Sequence, residues 1–265
     1  MTARDVLDAI KKNLGSPWNE NTYRDVFHAG DPNAEVKGIA TTFMATLDLL
    51  QRAHAAGMNL VIPHETTFWN DRDDTKGMED DAVYRFKVDF CAKNQMAVLR
   101  LHDHAHSHRP DFIMTGLLRA LGWSAESVSA QNQRVYTFPA TTLGELAARI
   151  QRRTGSKAFR VVGDPKAKVS TGTAGMGYSM GRFSANVDVV IIGENPETGN
   201  AYDATEYALD AAFFRKNKGQ IILGHAISEE PGMEDVAEWL RTFIKDVPVQ
   251  FIRSGEPYWS PAARG

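Results

Sequence analysis

One cysteine, Cys91, is all that 265 residues provide, so no internal disulfide is available and the fold does not depend on an oxidising compartment. Cys91 falls in a helical apolar pattern with Val83, Phe86 and Phe90, the setting of a small core side chain rather than a nucleophile. Long hydrophobic runs are missing as well: none approaches the roughly 18 residues of a bilayer span. The N-terminus places Asp5, Asp8, Lys11 and Lys12 along a helical pattern, unlike a signal peptide. A cytoplasmic protein with no membrane partner is expected. Charge of one sign is also lacking. The formal net charge is -3, and only Gln151-Arg152-Arg153 and Arg215-Lys216-Asn217-Lys218 are locally basic. Both fit solvated helix ends, so nucleic acid is excluded as a partner class. Finally, Gly172, Gly175 and Gly177 match neither the dinucleotide fingerprint nor a P-loop, because no Lys-Ser/Thr follows them. They read as turn glycines needing positive φ.

What is present is an ordinary globular composition, 43% hydrophobic and 24% charged, enough for one large domain or two interlocked lobes. Val6, Leu7, Ile10 and Leu14 recur at helical spacing behind a Thr2/Asp5 capping pair, while 21–31 is polar and irregular. Ile39 to Phe43, Leu60 to Ile62 and Met96 to Leu101 read as strands. They alternate with helices over 47–53 and 80–94, the rhythm of a parallel sheet. A helix over 112–121 is closed by Gly122. A second set follows: strand 134–138, helix 143–154, strand 159–162, strand 187–192, helix 204–217 and strand 220–223, then a helix carrying Trp239 and Leu240. No repeat and no linker is visible.

The chemistry collects at strand ends. Leu60-Val61-Ile62 runs into Pro63-His64-Glu65, the strand over 96–101 into His102-Asp103-His104-Ala105-His106-Ser107-His108, and the strand over 187–192 into Gly193-Glu194-Asn195. The run Gln220 to Leu223 leads into Gly224-His225-Ala226-Ile227-Ser228-Glu229. Six of the eight histidines fall in these clusters; His28 and His54 do not. Parallel strands deliver their carboxyl ends to one edge, where open α/β proteins place their sites. If a helix starts near Ser228, His225 and Glu229 lie one turn apart. Imidazole mixed with carboxylate suits Zn, Fe, Ni, Co or Mn, and two adjacent ions would support hydrolysis. Plainer readings stand beside this one. His64 could satisfy a backbone carbonyl, the histidine run could be a surface loop, and Phe68 and Trp69 could line a pocket or pack inward.

The order of these motifs resembles the Nif-three-like family, also called GTP cyclohydrolase I type 2 homologues. Asp31 to Ile39 looks like the family's lead into its first strand, and Val61 to Phe68 stands at its His-His-Pro-Leu-Phe motif. His102 to His106 stands at His-x-x-x-Asp, Ile192-Gly193-Glu194 at Thr-Gly-Glu, and Gly224 to Glu229 is similar to Gly-His-Tyr-Ala-Ser-Glu. The resemblance implies an α/β fold of two related, interlocked lobes with mixed or parallel sheets, approximately 1–125 and 126–265. It places the metal site in the cleft between them and implies a short form assembled as a homohexamer. It implies two divalent ions per subunit held by His64, Glu65, His106, His225 and Glu229. Glu65 replaces a histidine of the family pattern and His106 an aspartate, a swap that roughly conserves charge and leaves His102, Asp103 and His104 as alternatives for the third ligand.

The first functional expectation is a metal-dependent hydrolase of a small, nucleotide-like substrate, with Glu194 or His102 moving the proton. Few basic residues beyond Arg100 and Arg109 accompany the motifs, which fits a triphosphate poorly. The His-x-His of Leu101-His102-Asp103-His104 also resembles amidohydrolase-type barrels, but it comes late in a chain short of eight βα units. A third expectation is a metal-stabilised interaction protein without turnover.

Overall fold

The computed structural model describes residues 1–123 and 134–259. The chain divides into two compact units, Met1–Ile113 with Gly232–Ser254 and Met114–Pro231 with Gly255–Gly265. The chain thus returns to the first unit after residue 231, a return that a division into 1–125 and 126–265 leaves out.

Unit one begins with α1 (Ala3–Asn13), started by a reciprocal capping box in which Thr2 Oγ1 accepts from the Asp5 amide and Asp5 accepts from the Thr2 amide. There follow β1 (Phe27–Ala29), β2 (Ile39–Thr42), α2 (Leu47–Ala55), β3 (Leu60–Pro63), α3 (Ala82–Lys93), β4 (Ala97–Leu99) and the single turn α4 (Asp103–Ser107). α5 (Phe112–Leu121) leads into unit two, where β5 (Tyr136–Thr142), α6 (Leu143–Thr154), β6 (Arg160–Gly163), β7 (Lys168–Ala174), β8 (Val189–Ile192), α7 (Asp203–Phe213) and β9 (Gly219–Ile222) succeed one another. α8 (His225–Phe243) and β10 (Val249–Phe251) complete the chain.

Each unit holds a five-stranded mixed sheet. In unit one the order is β1-β4-β3-β2-β10, parallel except for the antiparallel edge strand β1. Every residue of β2 and β3 is buried, as expected when both faces of a parallel sheet are covered. Ala40, Val61 and Val98 pack with Leu49, Leu50, Ala53 and Cys91 of α2 and α3. Thr41, on the opposite side of its strand, donates its hydroxyl to the Met233 carbonyl. Burial pushes the Cys91 thiol up to about 11, consistent with core packing and not with a nucleophile.

In unit two the order is β5-β7-β8-β9-β6, with β7, β8 and β9 parallel and both edges antiparallel. Val189 and Ile191 join Leu143, Leu146 and Ile150 of α6, while Val190 and Ile192 face the other way with Val187 and Ile222, the period-two signature of a strand. β7 corrects the reading of its glycines as turn residues. Gly172 lies inside the strand opposite Val189, and a Cβ there would collide with the Trp123 ring. Of Gly172, Gly175 and Gly177, Gly177 alone has positive φ, +51°. Among the described residues no helix is long and apolar enough to cross a membrane.

Candidate metal centre

In unit one the ligand candidates stand where neighbouring parallel strands stop. The pairing of β2, β3 and β4 continues past the strands through His64 N–H to Thr42 O (3.1 Å) and Leu101 N–H to Pro63 O (2.9 Å). This sets His64 beside His102, ring centroids 4.5 Å apart and nearly parallel. α4 then carries the chain round one turn, so His106 meets both, at 5.1 Å from His64 and 5.2 Å from His102. His64, His102 and His106 each bring a ligand atom within 4.8 Å of the others, a group able to hold a metal ion.

The histidine run is split by its hydrogen bonds. His104 turns away, stacks on Trp18 at 3.5 Å, gives Nδ1 to the Asp25 carboxylate and accepts the Asn19 amide on Nε2 at 2.9 Å. Both ring nitrogens are consumed, so His104 is structural. His108 stacks on Phe112 and bonds the Pro110 carbonyl through Nδ1. The anchor of the run is Asp25, 1% exposed, which also accepts the amides of His102 (2.6 Å), Asp103 (3.1 Å) and His104 (2.7 Å). Asp103 is drawn outward to Thr22 and Arg24.

In each clustered ring Nδ1 faces an acceptor: Leu101 O at 3.1 Å for His64, Asp103 Oδ1 at 2.9 Å for His102, and Asp111 Oδ2 at 3.2 Å for His106. Such acceptors make Nδ1 the protonated nitrogen and Nε2 the one with the lone pair, the outer arrangement typical of metal-binding histidines. Burial, then the facing His64, pushes the His102 imidazole down to about 4, so the ring is neutral at pH 7 and able to ligate. Glu65 stands at the rim, its Oε1 3.7 Å from His102 Nε2 and its Oε2 3.1 Å from Arg100 Nη2. Arg100 is fully buried and also donates to the carbonyls of His64 and Asp71. Hydrogen bonding from Arg24 holds Asp71 well below the usual carboxylate range.

Unit two repeats the device at the ends of β8 and β9. α8 begins at His225, earlier than a start near Ser228, which makes Glu229 its i+4 neighbour. His225 Nδ1 lies 2.5 Å from Glu194 Oε1 and Nε2 2.9 Å from Glu229 Oε2. Glu194 therefore orients the ring, again leaving Nε2 as the ligating nitrogen. Gly177 makes room: a Cβ there would run into Glu229 Oε1 and His225 Nε2. Its amide is held by Ser228 Oγ at 2.9 Å, and that hydroxyl donates to His225 O at 2.7 Å.

All seven expected site residues thus lie in these two groups: His64, Glu65, His102 and His106 in unit one, Glu194, His225 and Glu229 in unit two. His102 takes its place among the candidate ligands. Sequence reasoning missed Asp25 and Asp111, whose types carry no motif and whose roles come from contacts outside the motifs, and it read Ser228 only as a helix start. It noted Arg100 only as a nearby base.

No curated protein matches the sequence. Solved structures share the fold over nearly the whole length. A Staphylococcus aureus hypothetical protein, SA1388, superposes with TM-score 0.73 at 14% identity, covering 98% of this chain and 99% of its own. A Bacillus cereus protein related to NIF3 gives 0.71 at 13%, covering 98% and 99%. The protein ybgI, described as of unknown function, gives 0.69 at 22%, covering 97% and 100%. The profile described as Duf34/NIF3 (NGG1p interacting factor 3) matches residues 1–257, and the chain belongs to that family.

Proposed function

We propose that the protein is a divalent-metal-dependent hydrolase of a small substrate, binding up to two ions per subunit. The observation that supports this best is the common Nδ1 anchoring of His64, His102, His106 and His225, against His104, whose two nitrogens are both spent. The donor set fits a borderline divalent ion such as Zn, Fe, Mn, Ni or Co, since imidazole and carboxylate are present and thiolate is not. A bound ion would supply Lewis acidity toward an acyl or phosphoryl oxygen.

The chain's own groups would do the rest. Glu65, held by Arg100 beside His102, is placed to accept a proton from water, and Glu194 keeps His225 in one orientation. The test is elemental analysis of purified His64→Ala, His102→Ala, His106→Ala and His225→Ala proteins beside His104→Ala. Metal content should fall sharply in the first four and stay at the wild-type level in the fifth. Equal content in all five would refute the assignment. Turnover of nucleotide and phosphate-ester substrates that disappears in the folded His225→Ala protein would support hydrolysis.

A second reading, a metal-stabilised oligomer acting by interaction, draws on Leu209 and Phe213 of α7 and Phe214 just after it, large apolar side chains that are 54%, 85% and 75% exposed. A homohexamer that covers them and dissociates on chelation would favour it, whereas an apo protein of unchanged size in solution would count against it.

A further inference from the structure

Beside His225, within unit two, a cavity of about 410 Å3 opens between the loop after β8 and the segment following Gly255. Its wall includes Glu194 and His225, so a molecule in it touches the candidate metal centre of this unit. The volume suits a ring system with substituents, within the roughly 300–1,000 Å3 of small-molecule sites.

The polar groups on the wall are mainly acceptors. Glu256 is anchored through one oxygen: Oε2 accepts the Ser156 hydroxyl at 2.6 Å and the Lys157 amide at 3.4 Å. Its other oxygen, Oε1, has no hydrogen bond among the described residues and stands over Gly224, 3.9 Å from where a Cβ would be. Asn195 is almost fully buried; its Nδ2 donates to Thr205, while Oδ1 has no hydrogen-bond partner. The guanidinium on the wall, Arg160, is neutralised by an ion pair with Glu197. Two carboxylates, Glu194 and Glu256, therefore set the sign of the field. The remaining wall is aromatic: Tyr258 and Trp259 line the cavity and are 67% and 82% exposed, flat surfaces suited to stacking and to a cation over the ring.

The geometry points to a binding site for a planar nitrogen ligand with paired N–H donors on one edge, an amidinium or amino-heterocycle. Its donor edge meets Glu256 Oε1 and its ring lies against Trp259 and Tyr258. A carboxylate fixed by one oxygen presents the other without further loss of freedom, and two adjacent N–H donors on one edge can converge on that single oxygen in a charge-assisted contact. An acceptor-edged ring of the same shape would set carboxylate against carboxylate and bind poorly. The inference deepens the hydrolase reading by naming the substrate's class, and in that sense it rests on that reading.

The test titrates the purified full chain by calorimetry with three probes: benzamidine, which has ring and donor edge; benzoate, the same ring with an acceptor edge; and guanidinium ion, the donor edge alone. Benzamidine should bind at least tenfold more tightly than either of the others. Glu256→Gln and Trp259→Ala should each weaken it tenfold or more while metal content by elemental analysis stays unchanged. Equal affinity for benzoate, unchanged benzamidine affinity in both variants, or no benzamidine binding by fully metallated protein would overturn the inference. Benzamidine binding of the stated pattern in a protein that holds no metal would overturn the hydrolase reading and leave the site standing.

Discussion

Replacing Asp25 by Asn tests how the histidine run is held. The carboxylate receives four donors: Oδ1 takes the amides of His102 and Asp103, and Oδ2 takes the amide and Nδ1 of His104. Asparagine preserves the shape but turns one of these oxygens into an NH2 group. Whichever oxygen is lost, two donors then face a third donor instead of an acceptor. The side chain is fully buried, so water cannot take its place. Two charge-assisted hydrogen bonds at about 1.5–3 kcal/mol each give an expected destabilisation of about 3–6 kcal/mol. His102 and His106 sit on the segment so released, and loss of an outer partner typically lowers metal affinity by about 10–100-fold. Urea unfolding in the presence of chelator measures the first quantity, and competition with a chromophoric chelator measures the second. An Asp25→Asn protein within about 1 kcal/mol of wild type, or one with unaltered metal affinity, would refute this account.

Arg100→Met should lower the thermal midpoint strongly, since Glu65 and the carbonyls of His64 and Asp71 lose a buried donor; such losses cost about 3–5 kcal/mol, and an unchanged midpoint would contradict the role given to Arg100. Lys87, 2% exposed, hydrogen-bonds the Thr67 carbonyl, and burial pushes its ammonium down to about 8 from 10.5. The unfolded chain binds the extra proton between those values, so wild-type stability should rise as pH climbs from about 8 to 10.5. Lys87→Met should flatten that rise and be about 2 kcal/mol more stable at pH 7, the shift at about 1.4 kcal/mol per unit less one hydrogen bond; parallel pH profiles would count against it. Gly177→Ala should strip metal from the His225 group and destabilise by about 1–2 kcal/mol from the left-handed backbone, read by elemental analysis and thermal unfolding. Full metal content in that protein would show that the space beside Glu229 is not needed.

Local signals carried much of the fold. Thr2 and Asp5 cap α1 as their spacing predicts, and the helices over 112–121 and 143–154 match their periodicity. β7 was hidden because Thr171-Gly172-Thr173 has the composition of a turn; its strand character comes from pairing with β8 and from Trp123 filling the space above Gly172. β1 and β10 have three residues each, too few to show a period. The site behaved similarly. Strand ends and the His225–Glu229 spacing were legible, but nothing within His102 to His108 separates the histidines that cluster with His64 from the one that turns away. That decision belongs to Asp25 and Trp18, about 80 positions earlier, which claim His104 and leave His102 and His106. The hold of Arg100 on Glu65, 35 residues apart, likewise has no local signal.

The closure of three successive amides on one carboxylate also fixes how this segment exchanges hydrogen with solvent. His102, Asp103 and His104 lie at and just beyond the start of a single helical turn, where backbone protons usually exchange quickly and independently. Here none of the three can be exposed without parting from Asp25. Their exchange rates should therefore report one shared opening free energy and slow together when a divalent ion binds, giving a clock for the loading of the site that needs no substrate.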